Sequence, residues 1–176
     1  MNEKRSQVWI ETVIYLVIGM VLIGLVLAFV VPKIIHEQER AFIEKSVEMM
    51  RIFDEKIASV ISTGEGNVRQ IELTIKKGEL SINPENDMII FTIEDLRKPY
   101  SEIDIGINSG KINLESGKTA KGYKTILNLD YDKDKVDILY GDLNAGGTQK
   151  FEAASTPYRF SIENKGGGKI VISEDR

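Results

Sequence analysis

The sequence predicts an α+β protein in which a long N-terminal hydrophobic and amphipathic helix is followed by an antiparallel, β-sandwich-like head domain. An uncharged apolar run extends from Thr12 to Val31, and a helical pattern of apolar residues continues to about Ser62. From Asn67 onward the apolar period changes to two, which is typical of strands. The 176 residues are enough for one domain with an appendage.

Composition argues against several classes of function. The formal net charge of −4 argues against binding to nucleic acid, which needs a clustered basic surface. The chain has no cysteine, which excludes disulfides, thiolate metal sites and a cysteine nucleophile. The one histidine, His36, cannot supply a multi-histidine metal site, and no acidic pair is singled out for acid–base chemistry. We therefore expect no enzymatic activity and no cofactor.

The apolar run is long enough to cross a membrane. As a helix, the 20 residues from Thr12 to Val31 rise about 30 Å, the thickness of a bilayer core. Fourteen of them are Leu, Ile, Val or Phe, so their insertion is favourable. A buried helix of a soluble domain is the first alternative, but such a helix is seldom apolar on all sides. A cleaved secretory signal is the second, but its apolar region is usually shorter.

Charged and small residues precede this run in an unusual order. Lys4 and Arg5 are followed by Ser6, then by Gln7 and three further uncharged residues, and then by Glu11. A carboxylate at the membrane edge is costly unless it has a partner, a function or contact with water at the headgroups. The basic pair favours a cytoplasmic N-terminus, with the bulk of the chain outside the cytoplasm.

This N-terminal segment resembles the class III signal peptide of type IV prepilins, in the style of the archaeal proteins. The resemblance covers roughly the first third of the chain. It implies that a prepilin peptidase recognises Lys4 and Arg5 and cuts between Ser6 and Gln7. Glu11 then becomes the fifth mature residue, where many pilins carry a glutamate.

The resemblance also implies partners and a location. The expected partners are the membrane, the prepilin peptidase and pilus assembly machinery, and further copies of the chain in a helical homopolymer. After cleavage, the α-ammonium of Gln7 in one subunit would compensate the carboxylate of Glu11 in a neighbour. The expected location is a cell-surface filament. The alternative is a single-pass membrane-anchored surface protein whose β-domain binds a ligand and does not polymerise.

The helical pattern continues beyond Pro32, which removes a backbone donor and predicts a kink or local melting. The apolar stripe that follows is expected to cover the head domain at least in part. It consists of Ile35, Phe42, Met49, Phe53, Ile57 and Val60. Arg40/Glu44 and Arg51/Glu55 are spaced as ion pairs on the other faces, and Gly64 is suited to closing the helix. The predicted organisation is a signal peptide at 1–6, a transmembrane and assembly helix with stalk at 7–63, and an autonomous head at 64–176.

The head is predicted to contain short strands separated by turns. The candidate strands are Val68–Ile75, Met88–Ile93, Glu102–Ile107, Lys111–Glu115, Tyr123–Tyr131, Lys135–Tyr140, Gln149–Ala153, Tyr158–Glu163 and Lys169–Ser173. The segments between them carry turn residues, namely Lys77-Gly78, Ser109-Gly110, Asp132-Lys133 and Lys165–Gly168. Because no long helical pattern interrupts the strands, we expect mostly antiparallel pairing.

One acidic stretch is similar to the start of a calcium loop. Asp130, Asp132 and Asp134 occupy its first, third and fifth positions. The sixth position is Lys135 instead of glycine, and the twelfth is Gly141 instead of glutamate. These three aspartates are therefore only weak candidate metal ligands, and a solvated hairpin tip is the favoured interpretation.

Overall fold

The computed structural model describes the backbone of residues 3–141 and 147–175, with side chains from Trp9 onward within those ranges. The fold is α+β, as the sequence predicts: one long N-terminal helix is followed by strands in two sheets. The chain divides into two compact units, Met1–Glu39 and Arg40–Arg176, which we call the N-terminal and C-terminal units.

Helix α1 extends over Glu3–Thr63 and is continuous through Pro32. The local melting expected at Pro32 is therefore not observed, and the kink stays a prediction. The helix ends where the sequence predicts, with Gly64 at φ 98°, a conformation that favours glycine. The buried Asn164 side chain donates a hydrogen bond to the Val60 carbonyl at 3.0 Å, which satisfies a carbonyl left free at the helix end.

The strands form two sheets, and their neighbours pair antiparallel except for one parallel pair, β7 with β10. The four-stranded sheet has the order β1-β9-β10-β7, and the six-stranded sheet has the order β4-β5-β6-β3-β2-β8. The bounds are β1 Val68–Leu73, β2 Glu79–Asn83, β3 Met88–Leu96, β4 Ile107–Ser109, β5 Ile112–Thr119, β6 Gly122–Asp130, β7 Asp137–Tyr140, β8 Gln149–Glu152, β9 Tyr158–Asn164 and β10 Lys169–Glu174.

Both sheets and the second half of α1 contribute to one hydrophobic core. The helix supplies Met50, Phe53, Ile57 and Val60, which are fully buried, together with the nearly buried Ile43. The Phe53 ring lies 6.1 Å from that of Phe160 in β9. The compact unit around the strands therefore begins at Arg40, whereas the sequence-based division placed the start of the head at residue 64.

The buried face of α1 is partly different from the predicted stripe. Phe53, Ile57 and Val60 face the core as expected, but Ile43 and Met50 are buried where Phe42 and Met49 were predicted, and these two are only partly buried. Both residues of each pair are apolar and adjacent, so the 3.6-residue period alone did not choose between them.

The strand predicted at Glu102–Ile107 is wrong over most of its length. Residues 101–106 are irregular, with a single bridge from Ile103 to Ser116, and β4 begins at Ile107. Asp104 has a φ of 60°, outside the β region, and the isoleucines that gave the alternating pattern, Ile103 and Ile105, are exposed.

Two further differences concern a strand that was not predicted and the start of another strand. Strand β2 was not predicted, although its Leu80 and Ile82 are fully buried. Strand β7 starts at Asp137, later than predicted, because a 3-10 turn at Asp132–Asp134 ends with Lys135 at φ 56°.

Candidate membrane and assembly segment

The first part of α1 exposes apolar side chains in every direction. All described residues from Trp9 to Ile34 are exposed except Gly19, which is half-buried. Trp9 and Phe29 expose 73% and 77% of their surface. The helix is long enough and apolar enough to cross a membrane. An apolar surface this large is unfavourable in water, so it needs to be covered by lipid or by other helices.

Glu11 is the one carboxylate within this apolar surface. It is exposed and lies two residues after Trp9 on the helix. The side chains of Lys4, Arg5, Ser6 and Gln7, on which the predicted cleavage site depends, lie outside the described residues. Residues 7 and 11 are four apart, so they belong to the same helical face.

The C-terminal part of α1 carries its charges on the surface opposite the core. Arg40 and Glu44 form the predicted pair at 3.1 Å. The Arg51 guanidinium lies 3.4 Å from the carboxylate of Glu55, its predicted partner. It also lies 2.6 Å from the carboxylate of Glu48. The hydrogen bond from Arg51 lowers the pKa of Glu48, and the same bond raises the pKa of Arg51. These pairs are exposed to solvent, so they contribute little to stability.

The weak metal candidates lie at the end of β6 and in the following turn, and two of their carboxylates are paired with lysines. The Asp130 carboxylate is 3.1 Å from the Lys133 ammonium and also accepts a hydrogen bond from the Asp132 backbone. The Asp134 carboxylate is paired with Lys111. Among the described residues, no cluster of carboxylates and histidines suits a metal ion. A cation would have to displace both lysines.

The sequence analysis did not identify Tyr131, which directly follows β6 and forms a hydrogen bond with helix α1. Its buried hydroxyl donates a hydrogen bond to the Asp54 carboxylate of α1 at 2.8 Å, and the Lys111 ammonium lies 3.8 Å from its ring centroid. Burial, followed by the neighbouring Asp54 charge, raises the pKa of Tyr131. The burial of Tyr131 could have been predicted from the sequence. Tyr131 lies two residues after Leu129 and four after Leu127, so it falls on the same, buried face of the strand pattern.

Two cavities open on the outer face of the six-stranded sheet. The larger, of about 740 Å³, lies between charged side chains, among them Glu79 and Lys150, which form an ion pair at 2.9 Å. The smaller, of about 410 Å³, is lined by residues of β4, β5 and β6 and by the acidic turn. Its asparagines, Asn108, Asn113 and Asn128, were not singled out in the sequence.

Comparison with known proteins assigns neither a family nor a function to the chain. No protein-family model matches the chain, and neither the curated proteins nor the solved structures contain a significant match.

Proposed function

We propose that the chain is the structural subunit of a type IV pilus-like surface filament. A prepilin peptidase cuts the membrane-inserted precursor between Ser6 and Gln7, and the N-terminal helix then polymerises. The observation that carries this proposal is the helical surface from Trp9 to Val31, apolar on all sides except at the carboxylate of Glu11 near its start.

The exposed apolar surface supports both stages of this function. In the precursor, lipid would cover the helix. In the filament, the helices of neighbouring subunits would cover one another, which removes the same surface from water. The folded C-terminal unit, with its own core and charged surface, would remain in water outside the membrane.

Glu11 supports assembly more than simple anchoring. A helix that only anchors gains nothing from a carboxylate at the membrane edge. In a filament, the carboxylate would meet the α-ammonium of Gln7 from a neighbouring subunit, which would compensate both charges and fix the axial register.

The second candidate function is a membrane-anchored surface protein with a ligand-binding β-domain. The same apolar helix satisfies this function, and the cavities on the six-stranded sheet favour it specifically. The two functions predict different effects when Glu11 is replaced.

The test compares Glu11→Ala and Glu11→Gln with a control, Glu37→Ala, which removes an exposed carboxylate of the same helix outside the apolar run. For a filament subunit, Glu11→Ala should leave an ammonium buried without a partner, a loss of about 3–5 kcal/mol per contact. Filament yield should then fall sharply while insertion and cleavage persist, and Glu11→Gln should be intermediate.

The measurement is the ratio of sheared filament to mature subunit in the membrane, with electron microscopy of the cell surface. An unchanged ratio for Glu11→Ala would remove the charge-pairing mechanism. If cells that express the unaltered chain make no filament containing it, the anchor is the better account.

A further inference from the structure

One polar side chain lies deeper in the apolar run than Glu11. Between Thr12 and Val31, only Thr12 and Tyr15 carry a hydroxyl, amide or charged side-chain group. A threonine hydroxyl can donate to a carbonyl of its own helix, whereas the hydroxyl of a tyrosine is carried away from the backbone. Tyr15 is exposed, and within the part of the chain that the structure describes its hydroxyl forms no hydrogen bond. Because buried tyrosine hydroxyls normally have a partner, this one needs a partner when other helices cover the surface.

Tyr15 and Glu11 share one face of the helix. They are four residues apart, which is about 6 Å along the axis, and side chains at this spacing are neighbours. Helical side chains lean toward the N-terminus, so a residue at position 15 covers the turn that carries Glu11. Both side chains are exposed, so each is free to turn toward the other. Helix geometry thus places the phenol within reach of the carboxylate.

The Glu11 carboxylate needs more than one donor when it leaves water. A carboxylate offers about four acceptor positions, and a buried ion pair is favourable only if further hydrogen bonds satisfy the positions that the cation leaves. In the proposed filament, the α-ammonium of Gln7 from a neighbouring subunit supplies the charge. A tyrosine hydroxyl supplies a neutral donor, which adds a hydrogen bond without a second ion to remove from water.

Trp9 is the other exposed side chain near Glu11 that carries a donor. Its indole N–H is two residues away from Glu11, and residues at this spacing do not face each other on a helix. Trp9 therefore matches Tyr15 in being an exposed aromatic donor at the start of the apolar surface, but it lies on a different face. This difference makes it the control for an effect that depends on the face of Glu11.

We propose that Tyr15 is a positioning residue of the assembly site. In the filament its hydroxyl donates a hydrogen bond to the Glu11 carboxylate of the same chain and holds that carboxylate toward the α-ammonium of Gln7 from the neighbouring subunit. This inference rests on the proposed function as a filament subunit. In the membrane-inserted precursor, water at the headgroups can serve the Glu11 carboxylate, so insertion and cleavage do not need the hydroxyl.

The test is Tyr15→Phe, which removes the hydroxyl and keeps the ring, and the matched control is Trp9→Phe. In cells that carry each variant, the ratio of sheared filament to mature subunit in the membrane is measured. Tyr15→Phe should lower this ratio at least about fivefold, because a hydrogen bond to a charged group is lost. Trp9→Phe should change it less than about twofold, since its donor lies on another face. Intact-mass analysis should show normal cleavage of both variants.

A double-mutant cycle links the hydroxyl to the carboxylate. In a Glu11→Gln background the acceptor is neutral, so Tyr15→Phe should lower the remaining filament yield about twofold or less. A ring that only anchors the helix or packs against a neighbour predicts full yield for Tyr15→Phe, because phenylalanine keeps the ring. A hydroxyl that binds another group predicts the same loss in both backgrounds. Either result overturns the inference.

Failure of this inference can be told apart from failure of the proposed function. If Glu11→Ala lowers the filament yield and Tyr15→Phe does not, the hydroxyl has no part in assembly and the filament function stands. If Tyr15→Phe lowers the yield and Glu11→Ala does not, the inference is overturned, because the phenol then acts independently of the carboxylate. If the unaltered chain forms no filament, the inference and the proposed function are both overturned.

Discussion

Replacing Ile57 by alanine should destabilise the C-terminal unit strongly, and the same replacement of Ile61 should not. Ile57 is fully buried among the core residues of α1, whereas Ile61, one helical turn later, exposes 41% of its surface. Both changes remove the same atoms from the same helix. The comparison therefore isolates the contribution of burial against the sheets.

The expected magnitudes differ by several kcal/mol. A buried isoleucine-to-alanine change costs about 2–5 kcal/mol, because burial is lost and a cavity remains. The exposed change should stay within about 1 kcal/mol, since the better helix propensity of alanine offsets part of the lost contact. In a unit of this size, a loss of 3 kcal/mol corresponds to a fall of about 10 °C in melting temperature.

The assay is urea and thermal unfolding of a fragment comprising Arg40–Arg176, followed by circular dichroism. A shorter fragment, 64–176, extends the test because it lacks all five core side chains of α1. Burial of these side chains contributes about 7–15 kcal/mol, comparable with the whole stability of an ordinary domain. The shorter fragment should therefore be unfolded or aggregated. Equal effects of the two alanine variants, or a cooperative melt of fragment 64–176 at the same temperature, would refute this reasoning.

Three further predictions concern single sites. Because burial raises the pKa of Tyr131 above its usual value of about 10, its neutral phenol stabilises the fold fully below that pH and loses this effect as the pH rises. The melting temperature should decline above pH 10, and Tyr131→Phe should flatten the decline. Asn164→Ala removes the bond to the Val60 carbonyl and should cost about 1–3 kcal/mol in urea unfolding, whereas Asn67→Ala, at a half-buried position, should cost less. Mature surface protein should begin at Gln7, and intact-mass analysis that finds residues 1–6 retained in filaments would contradict the processing step.

Local patterns in the sequence were sufficient for the fold class. The uncharged run and the period-two segments depend only on neighbouring residues, and the structure has a helix at the first and strands at most of the others, Glu102–Ile107 being the exception. The short strand β2 was not predicted because it has only five residues between Gly78 and Pro84. Glycine and proline so close together are typical of a loop. Its burial comes from pairing with β3 and β8, the second of which lies about 70 residues later.

The smaller cavity on the six-stranded sheet could not be predicted from the sequence for the same reason. Asn108, Asn113 and Asn128 are unremarkable in the sequence, and only the register of three strands brings them together. The N-terminal segment from Lys4 to Glu11 is different, because its residues are close together in the sequence and their order alone gives the prediction. Local order therefore predicts the proposed assembly site, whereas the long-range register of the strands forms this cavity.

The position of β10 has a consequence for how the protein is made. It is the last described strand, yet it lies inside its sheet, between β9 and β7. The first strand, β1, likewise pairs with β9, which lies about 90 residues later in the sequence. On the ribosome the four-stranded sheet stays incomplete until β10 has been synthesised, and contacts this distant in sequence form slowly. Completion of this sheet therefore depends on its last described strand, so we expect the four-stranded sheet to form late in the folding of the C-terminal unit.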